Sequence, residues 1–321
     1  MNKIDIIITW VDGSDPKWIK ERNKYCKHKI DESRYRDWEL LKYWFRSIEK
    51  NIKWYNKIYF VTYGHIPNWL DTSNEKLVIV KHNEFIPQEY LPTFNSCTIE
   101  LNFHRIKNLS NNFIYFNDDT FVNDIVEVED FFKNNLPLDT KVISRIWPVG
   151  KNSTKINYNC MKVIEKHFGK IDSNNYKDEF KIKNTIKDII AFPKKSILSY
   201  IPIHMCNSYK KNTIKEIWEK EEKELDRVCM HKFRTDGDMS QWLIQFWQIA
   251  SNQYEERKAN ECIYYELKND NIDNIVDDIK KQNKKFICIN DNEKLYNYEI
   301  VKNKLIKTFE NLYPEKSKFE K

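Results

Sequence analysis

The sequence predicts an α/β fold in which a mostly parallel sheet is covered by helices, and three observations carry that prediction. The chain opens on a β-branched, apolar run, Ile4-Asp5-Ile6-Ile7-Ile8-Thr9-Trp10, which passes directly into the turn chemistry of Val11-Asp12-Gly13-Ser14-Asp15-Pro16. Short apolar runs recur at Lys57–Thr62, Lys76–Val80 and Phe113–Phe116, separated by helical patterns or loops. The last of them follows a helix-patterned stretch and stops at Asn117-Asp118-Asp119, residue types that seldom continue a strand.

Taken in order, Ile4–Trp10 is a buried first strand, and a polar loop after such a strand is how nucleotide-binding sheets commonly begin. Neither GxGxxG nor GxxxxGK[ST] occurs, so a dinucleotide fingerprint and a P-loop are both absent. Asp12 and Asp15 are suited equally to contacting a base or ribose and to shaping the turn and capping a helix over Trp18–Lys24. Arg34–Asn51 places Trp38, Leu41, Trp44, Phe45 and Ile48 on one face, which predicts a core helix. Gly64 and Pro67-Asn68 mark the turn between the next two strands.

Ile99, Phe103, Ile106 and Leu109 repeat at helical spacing and leave Glu100 and His104 together on another face. The strand Phe113–Phe116 then delivers Asp118 and Asp119 to its carboxyl end. Ligands bind beyond that edge in open α/β sheets, and paired carboxylates there suit a hard divalent cation on a phosphate-bearing substrate. Asn-Asp-Asp is also ordinary turn composition.

Downstream, Val142-Ile143-Ser144 has strand character, and the Lys- and Asn-rich stretch Asn152–Tyr200 predicts helices and loops of an accessory layer. Ile203-His204-Met205-Cys206 follows a bend at Tyr200-Ile201-Pro202. Thr213 with Glu216 forms a capping-box pattern opening a helix through Ile217, Trp218 and Leu225. A polar loop, Met230–Asp238, leads into an apolar helix over Met239–Ala250, and a strand at Lys285–Ile289 again ends in Asn290-Asp291-Asn292. Residues after Tyr313 have the composition of a solvated tail. One catalytic domain over 1–321 is expected, with a nucleotide-binding core over about 1–150, a helical accessory region over about 151–200 and a stretch over about 201–300 that completes the site.

Composition narrows the partners. With 54 Lys+Arg against 48 Asp+Glu the chain is mildly basic, which suits a polyanionic ligand. Its charges are dispersed and no nucleic-acid-binding signature occurs, so nucleic acid is not an expected partner. Seven scattered cysteines without a CxxC pair suggest free thiols and a cytoplasmic setting. No window of the sequence is apolar enough for a membrane span.

The ordered blocks IDIIITWVDGSDP, RYRDWELLKYWFRSIEKN with IYFVTYGHIPNWL, LPTFNSCTIELNFHRI with FIYFNDDTFV, then HM, HKFR and DM, and finally FICINDN resemble the conserved blocks of the Stealth family of capsular polysaccharide phosphotransferases. The resemblance implies a GT-A-like, Rossmann-type nucleotide-binding core and transfer of a sugar-1-phosphate from a nucleotide-diphosphate sugar, with a UDP-sugar the favoured donor, to a glycan hydroxyl. It implies Mg²⁺ or Mn²⁺, and a place beside membrane-bound capsule-assembly machinery at the inner face of the membrane. Carried over residue by residue, Asp118 and Asp119 are expected at the catalytic centre and in the metal site, with Asn117 supporting them and Asp291 completing the cation set alongside Asn290. His204 is the expected general base and Arg234 the phosphate-binding cation. Asp238 is expected to orient Arg234. Asp12, Gly13 and Asp15 would shape the nucleotide pocket, and Glu100, His104 and Arg105 would support the donor or the packing beneath it. Cys206 departs from the proline common in the family after His-Met. An ordinary GT-A glycosyltransferase and a non-catalytic assembly partner are the competing readings.

Overall fold

In the computed structural model, which describes residues 2–26, 33, 35–172, 196–257 and 261–321, the opening strand β1 (Ile4–Trp10) is the middle strand of the main sheet. After it come α1 (Pro16–Tyr25), α2 (Leu41–Asn51), β2 (Ile58–Thr62), β3 (Leu77–Lys81), α3 (Ser96–Leu101) and β4 (Asn112–Phe116). The chain continues through β5 (Thr120–Val122), β6 (Phe132–Lys133), β7 (Leu136–Asp139), β8 (Ile143–Ile146) and α4 (Asn152–Phe168). The later elements are β9 (Ile197–Tyr200), β10 (Asn207–Lys210), α5 (Lys211–Cys229), α6 (Trp242–Ala250) and β11 (Glu255–Glu256). They end with β12 (Cys262–Glu266), α7 (Ile272–Lys281), β13 (Phe286–Asn290) and α8 (Tyr298–Leu312).

The main sheet runs in the order β10-β4-β1-β2-β3 and is parallel except at β10. Its two faces follow from strand alternation. Ile4, Ile6 and Ile8 join Ile58, Phe60, Ile114 and Phe116 in one core, which α2, α7 and α8 cover together with a small sheet, β12-β13-β5. Ile7, Tyr59, Val61, Phe113 and Tyr115 point the other way, into a core built with α3, α4, α5 and α6. Ile6, Ile7 and Ile8 are fully buried, each contributing roughly 1.5–3 kcal/mol of apolar burial, so the strand is fixed from both faces.

Several expected boundaries differ. The helix expected over Arg34–Asn51 is helical only from Leu41. Glu39 adopts a left-handed φ of 57°, and the indole of Trp38 donates to Asp291 instead of lying on the helix. Arg34 itself lies outside the described residues. The helix expected through Leu109 stops at Leu101, because Asn102 is fully buried and turns its amide to the Thr98 carbonyl at 2.8 Å and to Cys229 Sγ at 3.4 Å. One 3₁₀ turn, Phe103–Arg105, follows.

The capping box does not form. α5 starts before Thr213, and its first N–H groups donate to the carbonyl and side chain of Asn111. The apolar helix after the Arg234 loop begins at Trp242 rather than Met239. Of the accessory stretch, α4 and β9 are seen, and 173–195 lies outside the described residues.

The tail is docked through Ser317, Phe319 and Glu320, with Pro314, Glu315, Lys316 and Lys318 left exposed. Phe319 is fully buried with its ring 5.2 Å from that of Phe45, and the Arg46 guanidinium donates to both oxygens of Glu320 at 2.7 Å.

Candidate active site

The parallel strands β1 and β4 end at the floor of one cleft of about 1360 Å³, lined there by Trp10 and Asn117-Asp118-Asp119. This is the edge at which open α/β sheets bind ligands. His204, Arg234, Glu100, Asn290 and Asp291 line the same space, although they come from far-apart stretches of sequence. None of the described helices is long and apolar enough to cross a membrane.

Asp119 lies between β4 and β5 and is anchored by its own backbone, whose carbonyl accepts from Ile289 N–H of β13 at 2.8 Å. Its carboxylate Oδ2 stands 3.4 Å from His204 Nε2, with both side chains partly exposed to the cleft. Burial disfavours the protonated imidazole, but the charge of Asp119 and its hydrogen bond outweigh that and raise the His204 pKa. Burial likewise disfavours the Asp119 carboxylate. His204, Cys288 and Thr120 more than compensate, and its pKa falls below the usual value. The pair therefore acts as a unit, with Asp119 fixing the imidazole and increasing its basicity.

Asp118 behaves oppositely. Although Asp118 is open to the cleft, the protein around it desolvates the carboxyl, and this, followed by the charges of Asp119 and Asp37, pushes it up to about 7. Charge crowding of this kind at the floor of a cleft is what a divalent cation relieves, and the oxygen donors of Asp118 and Asp119 are of the type that Mg²⁺ or Mn²⁺ takes. Cys288 joins Asp119 and His204 in a cluster of ligand-type atoms within 4.8 Å of one another. Burial, with Asp119 beside it, raises the Cys288 thiol well above its usual pKa, so it keeps its proton.

Arg234 projects into the cleft from the Met230–Asp238 loop, and its guanidinium donates from Nε (3.2 Å) and from Nη2 to Ser96 Oγ at the start of α3. The loop is held from behind by Asp238, which is fully buried. Its carboxylate accepts from Asn95 Nδ2 at 2.8 Å, Thr235 N–H at 3.0 Å and Thr235 Oγ1 at 2.8 Å, and pairs with His231 Nδ1 at 2.6 Å. Because Asn95 also caps α3 through Cys97 N–H, the loop and the helix bearing Ser96 share one anchor. Glu100, on α3, is buried in the cleft wall and accepts from Gln241 N–H at 3.0 Å. Its carboxyl pKa is raised by burial, against which the charge of Arg234 acts.

The remaining expected residues divide. Asp15 caps α1, accepting from Trp18 N–H at 2.7 Å, and Asp12 holds the turn by accepting from Ser14 N–H at 2.9 Å; neither carboxylate lines the cleft. A Cβ at Gly13 would fall 1.9 Å from the Tyr35 carbonyl oxygen, so the turn needs glycine for close approach rather than for a special φ. Asn117 and Asn290 line the cleft.

Asp291 lines the cleft as well, with its carboxylate engaged by two side chains. Arg36 takes its two oxygens at 2.9 and 2.5 Å, and Trp38 Nε1 donates to it at 3.1 Å. His104 and Arg105 are not in the cleft. The break at Asn102 turns them toward Trp218, with ring centroids 5.7 Å apart for His104 and the guanidinium 4.8 Å over the indole for Arg105. Asp37, Ser96 and Cys288 escaped sequence reasoning. Asp37 sat inside the stretch assigned to a helix, and Cys288 looked like one more buried strand residue.

Three family models match the chain: Stealth protein CR1, conserved region 1, over residues 2–27; CR2, conserved region 2, over 34–139; and CR4, conserved region 4, over 277–321. The chain is 42% identical, over 100% of its length and 99% of the relative's, to the capsular polysaccharide phosphotransferase WcwK of Streptococcus pneumoniae. It is 35% identical, over 100% of both chains, to the receptor polysaccharide phosphotransferase WefC of Streptococcus oralis. The exopolysaccharide phosphotransferase cps2G of Lactiplantibacillus plantarum shares 33% identity over 99% of this chain and 96% of its own. Among solved structures, the galactosyltransferase LgtC overlays distantly, with a TM-score of 0.36 and 6% identity over 94% of this chain and 95% of that one. Matched across its full length by these relatives, and carrying the first, second and fourth conserved regions in order, the chain belongs to the Stealth family.

Proposed function

We propose that this chain is a polysaccharide phosphotransferase that moves a sugar-1-phosphate from a nucleotide-diphosphate sugar, a UDP-sugar in the first instance, to a hydroxyl of a growing glycan. The observation that carries this reading is the Asp119–His204 pair at 3.4 Å in a cleft that also holds Arg234. The acceptor oxygen bonds to the phosphorus that carries the sugar, and the bond from that phosphorus to the bridging oxygen breaks. The hydroxyl proton passes to His204, and nucleoside monophosphate leaves with the bridging oxygen. Asp119 keeps the imidazole oriented and stabilises its protonated form. Arg234 supplies a planar, permanently charged fork for the transferring phosphate. Asp118 and Asp119 would hold a divalent cation, which neutralises the diphosphate and the departing phosphate when bound. Asn117 and Asn290 line the pocket beside the donor, and Glu100 tempers the charge of Arg234. The free state of all seven cysteines accords with a cytoplasmic setting.

The test is ³¹P NMR of the purified chain with Mg²⁺, a panel of nucleotide-diphosphate sugars and an oligosaccharide acceptor. Nucleoside monophosphate together with a new phosphodiester resonance is expected. Nucleoside diphosphate without a phosphodiester would replace this reading with glycosyl transfer.

A further inference from the structure

We infer that Tyr264 is the platform on which the acceptor's sugar ring stacks, setting the acceptor hydroxyl against His204; this rests on the transfer reaction proposed above. Tyr264 belongs to β12 and lines the cleft, yet it is 46% exposed. Its ring centroid lies 5.6 Å from that of His204, with the planes tilted by 49°, so an accessible aromatic surface adjoins the imidazole. Parallel pairing of β12 with β13, with Tyr264 opposite Cys288, fixes the backbone that presents the ring.

The position suits an acceptor for geometric reasons. Attacking and leaving oxygens lie roughly in line through the phosphorus, so the acceptor approaches on the base's side and its ring must rest next to His204. Arg234 is tied to Ser96 of α3, an element separate from the β12 strand that carries Tyr264. A pyranose presents a face of C–H bonds, weakly positive at hydrogen, to which the negative face of an aromatic ring is complementary. At the rim beside Tyr264, Lys151 and Glu266 form a loose pair at 3.7 Å and offer a donor and an acceptor for sugar hydroxyls. An exposed aromatic ring in a polar-rimmed cleft beside the proposed base thus has a specific occupant, the terminal sugar of the acceptor glycan.

Proton NMR of the full chain reads the stacking directly, with methyl β-glucoside, β-galactoside and β-N-acetylgalactosaminide as probes, because ring current moves stacked C–H protons upfield. Upfield shifts are expected with the wild type, Tyr264→Phe and Tyr264→Trp, and are expected to vanish in Tyr264→Ala. In turnover assays with the oligosaccharide acceptor, Tyr264→Ala should raise the acceptor KM about tenfold while the affinity for UDP is unchanged. A wild type that shifts none of the probes, or a Tyr264→Ala protein with unchanged acceptor KM, overturns the inference. Because the NMR readout needs no turnover, release of nucleoside diphosphate would remove the proposed reaction and leave the stacking result standing.

Discussion

Replacing Asp238 with alanine tests whether the Arg234 loop is positioned from behind. The carboxylate is fully buried and accepts from Asn95, from both the N–H and the hydroxyl of Thr235, and from His231. His231 is 31% exposed on its side chain and regains water when the carboxylate goes. The Asn95 amide is fully buried and does not, and Thr235 N–H is partly buried. The Asn95 amide keeps only its longer bond to the His231 carbonyl at 3.5 Å, so two lost N–H bonds, at about 1–3 kcal/mol each, give a destabilisation of roughly 2–6 kcal/mol. Urea unfolding measures it as a fall in midpoint at constant slope. Arg234 should lose its aim as well, so kcat should drop even where the variant is fully folded. Arg234→Ala supplies the contrast, with turnover lower by at least about a hundredfold and stability changed by less than about 1 kcal/mol. A midpoint within error of wild type together with normal kcat in Asp238→Ala would refute the reasoning.

Other perturbations have equally definite outcomes. His204 must be neutral to accept a proton, and Asp119 raises its pKa, so the rate should climb with pH through a value above the ordinary 6.5; in Asp119→Asn, NMR titration of the imidazole should place its pKa lower than in the wild type. Glu320→Ala leaves Arg46 buried without its anion, the two side chains being 9% and 4% exposed, and should cost about 3 kcal/mol in chemical denaturation. Burial opposes the Glu320 carboxylate, but Arg46 and Ser317 lower its pKa overall. The stability it contributes is therefore present above the unfolded carboxyl pKa and is lost as pH falls through the lower folded value, an acid sensitivity that Glu320→Gln should abolish. Gly13→Ala must push away the Tyr35 carbonyl, since its Cβ would fall 1.9 Å from that oxygen; a weaker UDP affinity by calorimetry is expected.

The central strand and its carboxylates were legible in the sequence because local rules decide them. Alternation along Ile4–Trp10 dictates two buried faces whatever lies beyond, and Asn117-Asp118-Asp119 ends a strand by residue type alone. The family blocks likewise named His204 and Arg234. Tertiary structure decided what depends on a partner elsewhere in the chain. Asn102 breaks a helix of good periodicity because a thiol of α5 and a carbonyl one turn back compete for its amide; Glu100, still on α3, lines the cleft, while His104 and Arg105 beyond the break lie against Trp218. Asp291 repeats the strand-end pattern of Asp119, yet Arg36 captures it as an ion pair. Phe319 and Glu320 look like a polar tail until Phe45 and Arg46 supply an apolar pocket and a buried cation. Residue type and spacing determine which groups are available and in what local conformation; the direction in which each one spends its hydrogen bonds and charge is set by neighbours that only the folded chain brings within reach.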